Sequence, residues 1–251
     1  MYLLDHIVHF VNKPESMVVK TKEMGLHTVE GGKHEMWGTY NSLCYFGLSY
    51  IEFIGVFDEA LIEKSAQIPY TLHHSYKKRN NANGLTRIAL RTTTIDKDAE
   101  QLREAGFEVI GPDSFSRVRP DGSVLTWKLL HFGKKDLLFD FPFLIQWDGT
   151  DEERYEALVN NGTIQQHPLG NLQIDEVSFE VKDLKIAEGW AEVFQFNILE
   201  SAESYIKLKA PNCAFSFHKV DGKNEIVKVK IVGAKEEKEV VLEEGKYIFV
   251  R

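Results

Sequence analysis

One order of elements occurs twice in the first 150 residues and limits what the chain can fold into. Residues 3–11 are rich in Ile, Val and Phe and read as a strand. Residues 14–24 read as a helix, with Pro14 near its start and Gly25 just past its end. Strand patterns follow at 27–30, 41–46 and 50–56, separated by the turn signals Gly31-Gly32 and Gly47. The order then starts again: a strand at 85–92, a helix at 96–105 capped by Asp96 and ended by Gly106, and a short strand at 107–110, with 116–118 leading into a turn. A Pro120-Asp121-Gly122 turn and strands at 124–132 and 137–147 complete it. A repeat of this size is one supersecondary unit reused. Each β-α-β-β-β unit makes a small curved sheet with a helix on one face. Two of them paired leave one cleft between inward-facing strand residues, where ligands collect.

The expected class is therefore α+β: paired β-α-β-β-β modules forming curved mixed sheets around a cleft, plus a related C-terminal module. The first module spans residues 1–58 and the second 85–149. Residues 59–84 form a connector with a short helix at 58–66 and the polar run Lys77–Gly84, KKRNNANG. Residues 150–170 hold a linking helix. The C-terminal part, 171–251, reads as a partial module with a strand at 172–181 and a helix at 185–196 that has Trp190, Val193 and Phe194 on one side. Four strand patterns follow, at 205–208, 214–220, 225–232 and 239–250.

Charge narrows the partners. Thirty basic residues stand against 38 acidic ones, a net charge of −8. Nucleic-acid binding needs positive charge to release counterions, so no nucleic-acid partner is expected. No stretch approaches the roughly 20 apolar residues of a membrane span. The N-terminus has Asp5 and no basic region, unlike a secretory leader. Cys44 and Cys213 are far apart and outside any CxxC pattern, which suits free thiols in a reducing cytoplasm.

His6 and Glu52 are polar residues inside apolar strands. By strand alternation His6 shares a face with Leu4, Val8 and Phe10, while His9 lies on the other. Glu52 shares its face with Tyr50 and Ile54. A histidine and a carboxylate on the first and last strands of one unit could meet across a curved sheet, and such a pair suits a metal ion. The bland alternatives stay open: an outward Glu52, and a His6 bonded to a carbonyl. His34, Thr39, Tyr40 and Asn41 bring donors and acceptors to a glycine-flanked segment. His131 reads as a satisfied core or edge histidine, and His73-His74 as connector residues. Nucleotide-loop and serine-hydrolase motifs are missing.

The segments Leu4-Asp5-His6-Ile7-Val8, GGKHEMWGTYN at 31–41, Tyr50-Ile51-Glu52-Phe53-Ile54 and PFLIQWD at 142–148 together resemble glyoxalase-like proteins of the vicinal oxygen chelate superfamily. The resemblance covers about the first 150 residues; the rest fits loosely. It implies metal ligands on the first and last strands of each module. In the first these match His6 and Glu52. In the second they fall near Arg87 and Gln146, and an arginine cannot ligate a cation. Two outcomes stay open. A divalent metal ion is held by His6, Glu52 and Gln146 with waters, or metal is absent and Arg87 recognises an anionic substrate. Glu52 could instead serve as a catalytic base, with His34 and Asn41 as further substrate contacts. The function expected is a small organic molecule bound or converted in the cleft, by metal-dependent lyase, isomerase or dioxygenase-type chemistry. The alternative is sequestration without turnover. A homodimer is left open. At Ile174-Asp175-Glu176-Val177 the C-terminal part has Glu176 where His6 stands in the first module, and an exposed glutamate is the favoured reading there.

Overall fold

The computed structural model describes residues 1–118, 124–135 and 139–251. The turn expected at 120–122 and the first residues of the strand expected at 137–147 lie outside them.

The first β-α-β-β-β unit is β1 (Leu3–Phe10), α1 (Pro14–Glu23), β2 (Val29–His34), β3 (Thr39–Phe46) and β4 (Ser49–Val56). Helix α1 begins at Pro14, where a missing N–H costs nothing, and stops before Gly25 at φ +79°. The glycine-flanked segment 31–41, read from sequence as lying between strands, is mostly strand. β2 runs through Gly31-Gly32 with a register shift between Glu30 and Lys33, and β3 starts at Thr39. The connector holds two short helices, α2 (Glu59–Ser65) and α3 (Leu72–Lys78). The second unit is β5 (Gly84–Arg91), α4 (Ile95–Glu104), β6 (Glu108–Val118), β7 (Val124–Gly133) and β8 (Phe143–Trp147). Thr94, not Asp96, occupies the N-cap of α4, and Asp96 sits in the first turn. The short strand expected at 107–110 continues to Val118, with a bulge between Ile110 and Asp113.

These eight strands form one mixed sheet in the order β2-β3-β4-β1-β5-β8-β7-β6. The first strands of the two units meet antiparallel at its centre, and each pairs in parallel with the last strand of its own unit.

Helix α5 (Asp151–Asn160), closed by a Thr150–Glu153 capping box, leads to the second sheet. There β9 (Gly170–Val181), α6 (Lys185–Phe194), β10 (Asn197–Ala202), β11 (Tyr205–Lys209) and β12 (Ala214–Lys219) make a third β-α-β-β-β unit. β13 (Glu225–Ala234), β14 (Lys238–Leu242) and β15 (Gly245–Phe249) follow in the order β10-β11-β12-β9-β13-β15-β14. This order parallels the first sheet with one strand fewer, and between β13 and β14 there is no counterpart of α4 among the described residues. The strand expected at 239–250 is two strands, because Glu243 and Glu244 both adopt positive φ and turn the chain.

The sheets pack through one apolar cluster. Ile7, Ile51, Phe53 and Ile88 of the first join Val177, Phe179, Phe215 and Phe249 of the second, with Met17, Leu102 and Trp190 from the helices. The β14–β15 turn is docked on the first sheet: Glu243 accepts from Asn12 N, Lys20 Nζ and Asn83 Nδ2. His9 joins the sheets here, donating through Nε2 to the Glu243 carbonyl and accepting from the Tyr247 hydroxyl at Nδ1. Burial holds its pKa down at about 4. The opposite face of the first sheet is left free to form the site.

Candidate functional site in the concave sheet

Strand β1 carries a register shift between Leu4 and His6. It turns Leu4 into the inter-sheet core, while His6, Val8 and Phe10 stay on the concave face; the expected alignment of Leu4 with His6 is thereby corrected. Glu52 comes from β4, with Tyr50 and Ile54 on the same face. His6 Nε2 and Glu52 Oε2 lie 3.7 Å apart, beyond hydrogen-bond reach. Both line a cavity of about 160 Å³. For scale, an apolar cavity of roughly 150 Å³ accommodates benzene.

Each of the two is held from behind. His6 Nδ1 donates to Asp5 Oδ1 across 2.8 Å, so the lone pair of the neutral ring is on Nε2. Asp5 has no exposed surface and also accepts from Arg91, Arg154 and the Trp147 indole. These positive neighbours and hydrogen bonds outweigh its burial and keep its carboxyl well below the usual range. Arg154 comes from the linking helix α5, which thus reaches the back of the site. Glu52 Oε1 accepts from Asn41 Nδ2 at 2.6 Å, and Asn41 Oδ1 accepts from Gly32 N at 2.9 Å. A Cβ on Gly31 would overlap Asn41 Oδ1, so Gly31 serves the approach of Asn41, while a Cβ on Gly32 would meet the Arg117 guanidinium.

The walls are largely aromatic. Trp37, Phe115, Trp127 and Trp147 follow one another with ring centroids 4.7, 6.1 and 5.8 Å apart. Phe143, His6, Tyr50 and Tyr45 continue at 5.4, 4.7 and 4.6 Å. His34, bonded to Thr39 Oγ1 at 2.9 Å, is part of the lining. So are His73 from the connector and His131 from β7, each with one buried ring nitrogen that has no partner among the described residues. Burial lowers the pKa of all three, to about 4 for His73 and about 3 for His131, so they are neutral at pH 7.

The lining therefore brings together His6, Glu52, His34 and Asn41 of the residues named from sequence, and leaves out Arg87 and Gln146. Arg87 donates to the Tyr70 and Phe141 carbonyls and to Ser75 Oγ, with Asp140 at 3.8 Å. Its charge is spent on fastening α3 and the start of β8 to β5, in place of the anion contact expected of it. The Gln146 side chain turns to the other face, where Oε1 accepts from Ile95 N at the start of α4.

The strand register identifies the true counterparts. His6 pairs with Ala89 and Val8 with Arg87, so the two-fold relation of the units exchanges His6 with Arg87. Glu52 lies beside Val8, and Phe143 beside Ala89, so Glu52 exchanges with Phe143. The expected last-strand position at Gln146 was three residues too late. A guanidinium and a phenyl ring offer a cation no lone pair. Among the described residues no group of three or more His, Cys, Asp or Glu side chains could hold a metal ion. The residues present thus do not fit the divalent metal that the resemblance implied.

His73, His131 and the aromatic walls were missed as site residues. A signal existed on β7 and β8, where Leu125, Trp127, Leu129 and His131, then Phe143, Ile145 and Trp147, alternate at period two. Nothing local marks His73, which reaches the cavity through the packing of α3. In the second sheet Glu176 is half-buried and bonded to Lys207 and Ser216, both at 2.7 Å.

A family profile described as "Glyoxalase-like domain" matches residues 4–194. A hypothetical protein from Staphylococcus aureus has a similar structure, with TM-score 0.89, 22% identity and 99% of each chain covered. A 4-hydroxymandelate synthase mutant from Streptomyces coelicolor is similar at TM-score 0.53 and 12% identity, over 91% of this chain and 70% of that one. At these identities both likenesses speak to the fold alone. No curated protein sequence matches.

Proposed function

Since this chain belongs to the glyoxalase-like domain family of the vicinal oxygen chelate superfamily, we propose that it binds a small organic molecule in the concave cavity of the first sheet and moves a proton on it. The observation that carries the reading is His6: its Nδ1 is tied to a buried, ionised Asp5, and its Nε2 faces Glu52 across 3.7 Å inside an aromatic cavity. A base oriented by a carboxylate and shielded from bulk water suits general acid–base catalysis, which contributes typically 10²–10⁴-fold. In this reading Nε2 takes a proton from the bound molecule. The imidazolium so formed lies between Asp5 and Glu52. Asn41 holds the Glu52 carboxylate in place, and His34, His73 and His131 supply neutral hydrogen-bonding groups.

The test pairs binding with exchange. Ligand-observed NMR with one- and two-ring fragments identifies binders. For a binder with a C–H beside a carbonyl, exchange of that proton with D₂O is followed. The expected result is acceleration of about 10²-fold or more by the wild type, returning to background in His6→Gln while binding persists. Binding without exchange favours the second reading, sequestration without turnover, which the arginine and phenylalanine at the counterpart positions of the second unit support. Absence of any binder overturns both.

A further inference from the structure

We infer that the molecule taken by this cavity is an organic cation of about benzene size, a protonated amine or amidine on a ring. The inference rests on the small-molecule reading above and adds the ligand's charge. It follows from a count of charges around the cavity. Glu52 is 8% exposed, and its polar neighbours are the Asn41 amide and the His6 ring. Among the described residues no lysine or arginine lies within ion-pair distance of it. The other charged groups are answered elsewhere. Arg91 and Arg154 meet Asp5, and Arg91 also meets Asp151. Arg87 has Asp140. Asp113 and Arg117 line the cavity itself with opposite charges, so the net charge of the lining is the one negative charge of Glu52. The remaining histidines of the lining are neutral. The carboxylate of Glu52 is left for the ligand to answer.

The walls fit the same ligand. A cation within about 6 Å of a ring face is drawn by the ring's quadrupole, most strongly to tryptophan. Trp37, Trp127 and Trp147 stand in one run with Phe115. An anion would meet Glu52 and the faces of these rings, both repulsive. A neutral molecule would fill the space and leave the buried Glu52 charge unanswered.

The experiment compares four probes of one shape at pH 7 by titration calorimetry: benzylammonium, benzamidinium, benzyl alcohol and benzoate. The cations are expected to bind at least tenfold more tightly than benzyl alcohol, with benzoate weakest. Glu52→Gln should abolish the preference and keep the alcohol's affinity. If that variant does not fold, Trp127→Ala replaces it and should weaken the cations more than the alcohol. Equal affinity of cations and alcohol, or a preference that survives the substitution, overturns the cation assignment and leaves the cavity reading standing. If none of the four binds while other fragments do, the assignment also fails. If no fragment of any charge binds, the cavity reading fails with it.

Discussion

His6 donates through Nδ1 to Asp5 across 2.8 Å, and the neighbour that accepts this bond is as deeply buried as any residue in the protein. Asp5 also answers Arg91 and Arg154. Removing one member of such a buried group leaves the others uncompensated, at a cost of about 3–5 kcal/mol. Asp5→Asn should lose stability on this scale in urea denaturation. A loss below about 1 kcal/mol would show that Asp5 does not hold the group together.

Arg87 makes the same kind of prediction in the second unit. Arg87→Met keeps much of the bulk but leaves Asp140, Ser75 and two carbonyls without their donor. It should destabilise the fold by about 3 kcal/mol or more. Any folded fraction should retain wild-type fragment affinity, since the side chain does not line the cavity. A selective loss of affinity with stability unchanged would return Arg87 to the binding role expected from sequence.

Gly31→Ala tests the approach of Asn41 to the β2 backbone. The new methyl would overlap Asn41 Oδ1, which must withdraw and release Glu52. The expected cost is about 1–3 kcal/mol in stability, together with a weaker preference for cationic over neutral fragments. An unchanged preference in this variant would show that Asn41 does not position Glu52.

Acid should weaken the fold before its carboxylates protonate. His9, His73 and His131 have pKa values lowered to about 4, 4 and 3. A histidine with a lowered folded pKa binds fewer protons folded than unfolded. Its stabilising effect is complete above its unfolded value, about 6.5, and declines as pH falls from there towards the folded value. Each contributes a slope of up to about 1.4 kcal/mol per pH unit in that window. Urea denaturation at pH 7 and pH 5 should show the decline, and His9→Asn should make it shallower. Equal stability at the two pH values would contradict the burial of these rings as neutral groups.

The first two units could be traced from residue patterns because apolar alternation, Pro14, Gly25 and Gly106 are local signals with local causes. His6 and Glu52 were legible for a related reason: a polar residue in an apolar strand is conspicuous. Gln146 was not placed correctly, since register depends on which backbone groups pair. A shift of three residues in a five-residue strand exchanges one face for the other. The bulge that separates Leu4 from His6 is invisible in the residues of β1 for the same reason.

The order of elements, the doubling of the unit, and one histidine and one carboxylate on strands that could meet are all written in local residue patterns. These follow from backbone preferences and burial of side chains, which act over a few residues. Packing in three dimensions set the role of Arg87 in fastening the connector, the place of Phe143 as the second unit's counterpart of Glu52, and the contribution of His73 and His131 to the cavity. Those outcomes depend on distant segments packed together, where a charge takes whichever partner the fold brings within a few ångströms.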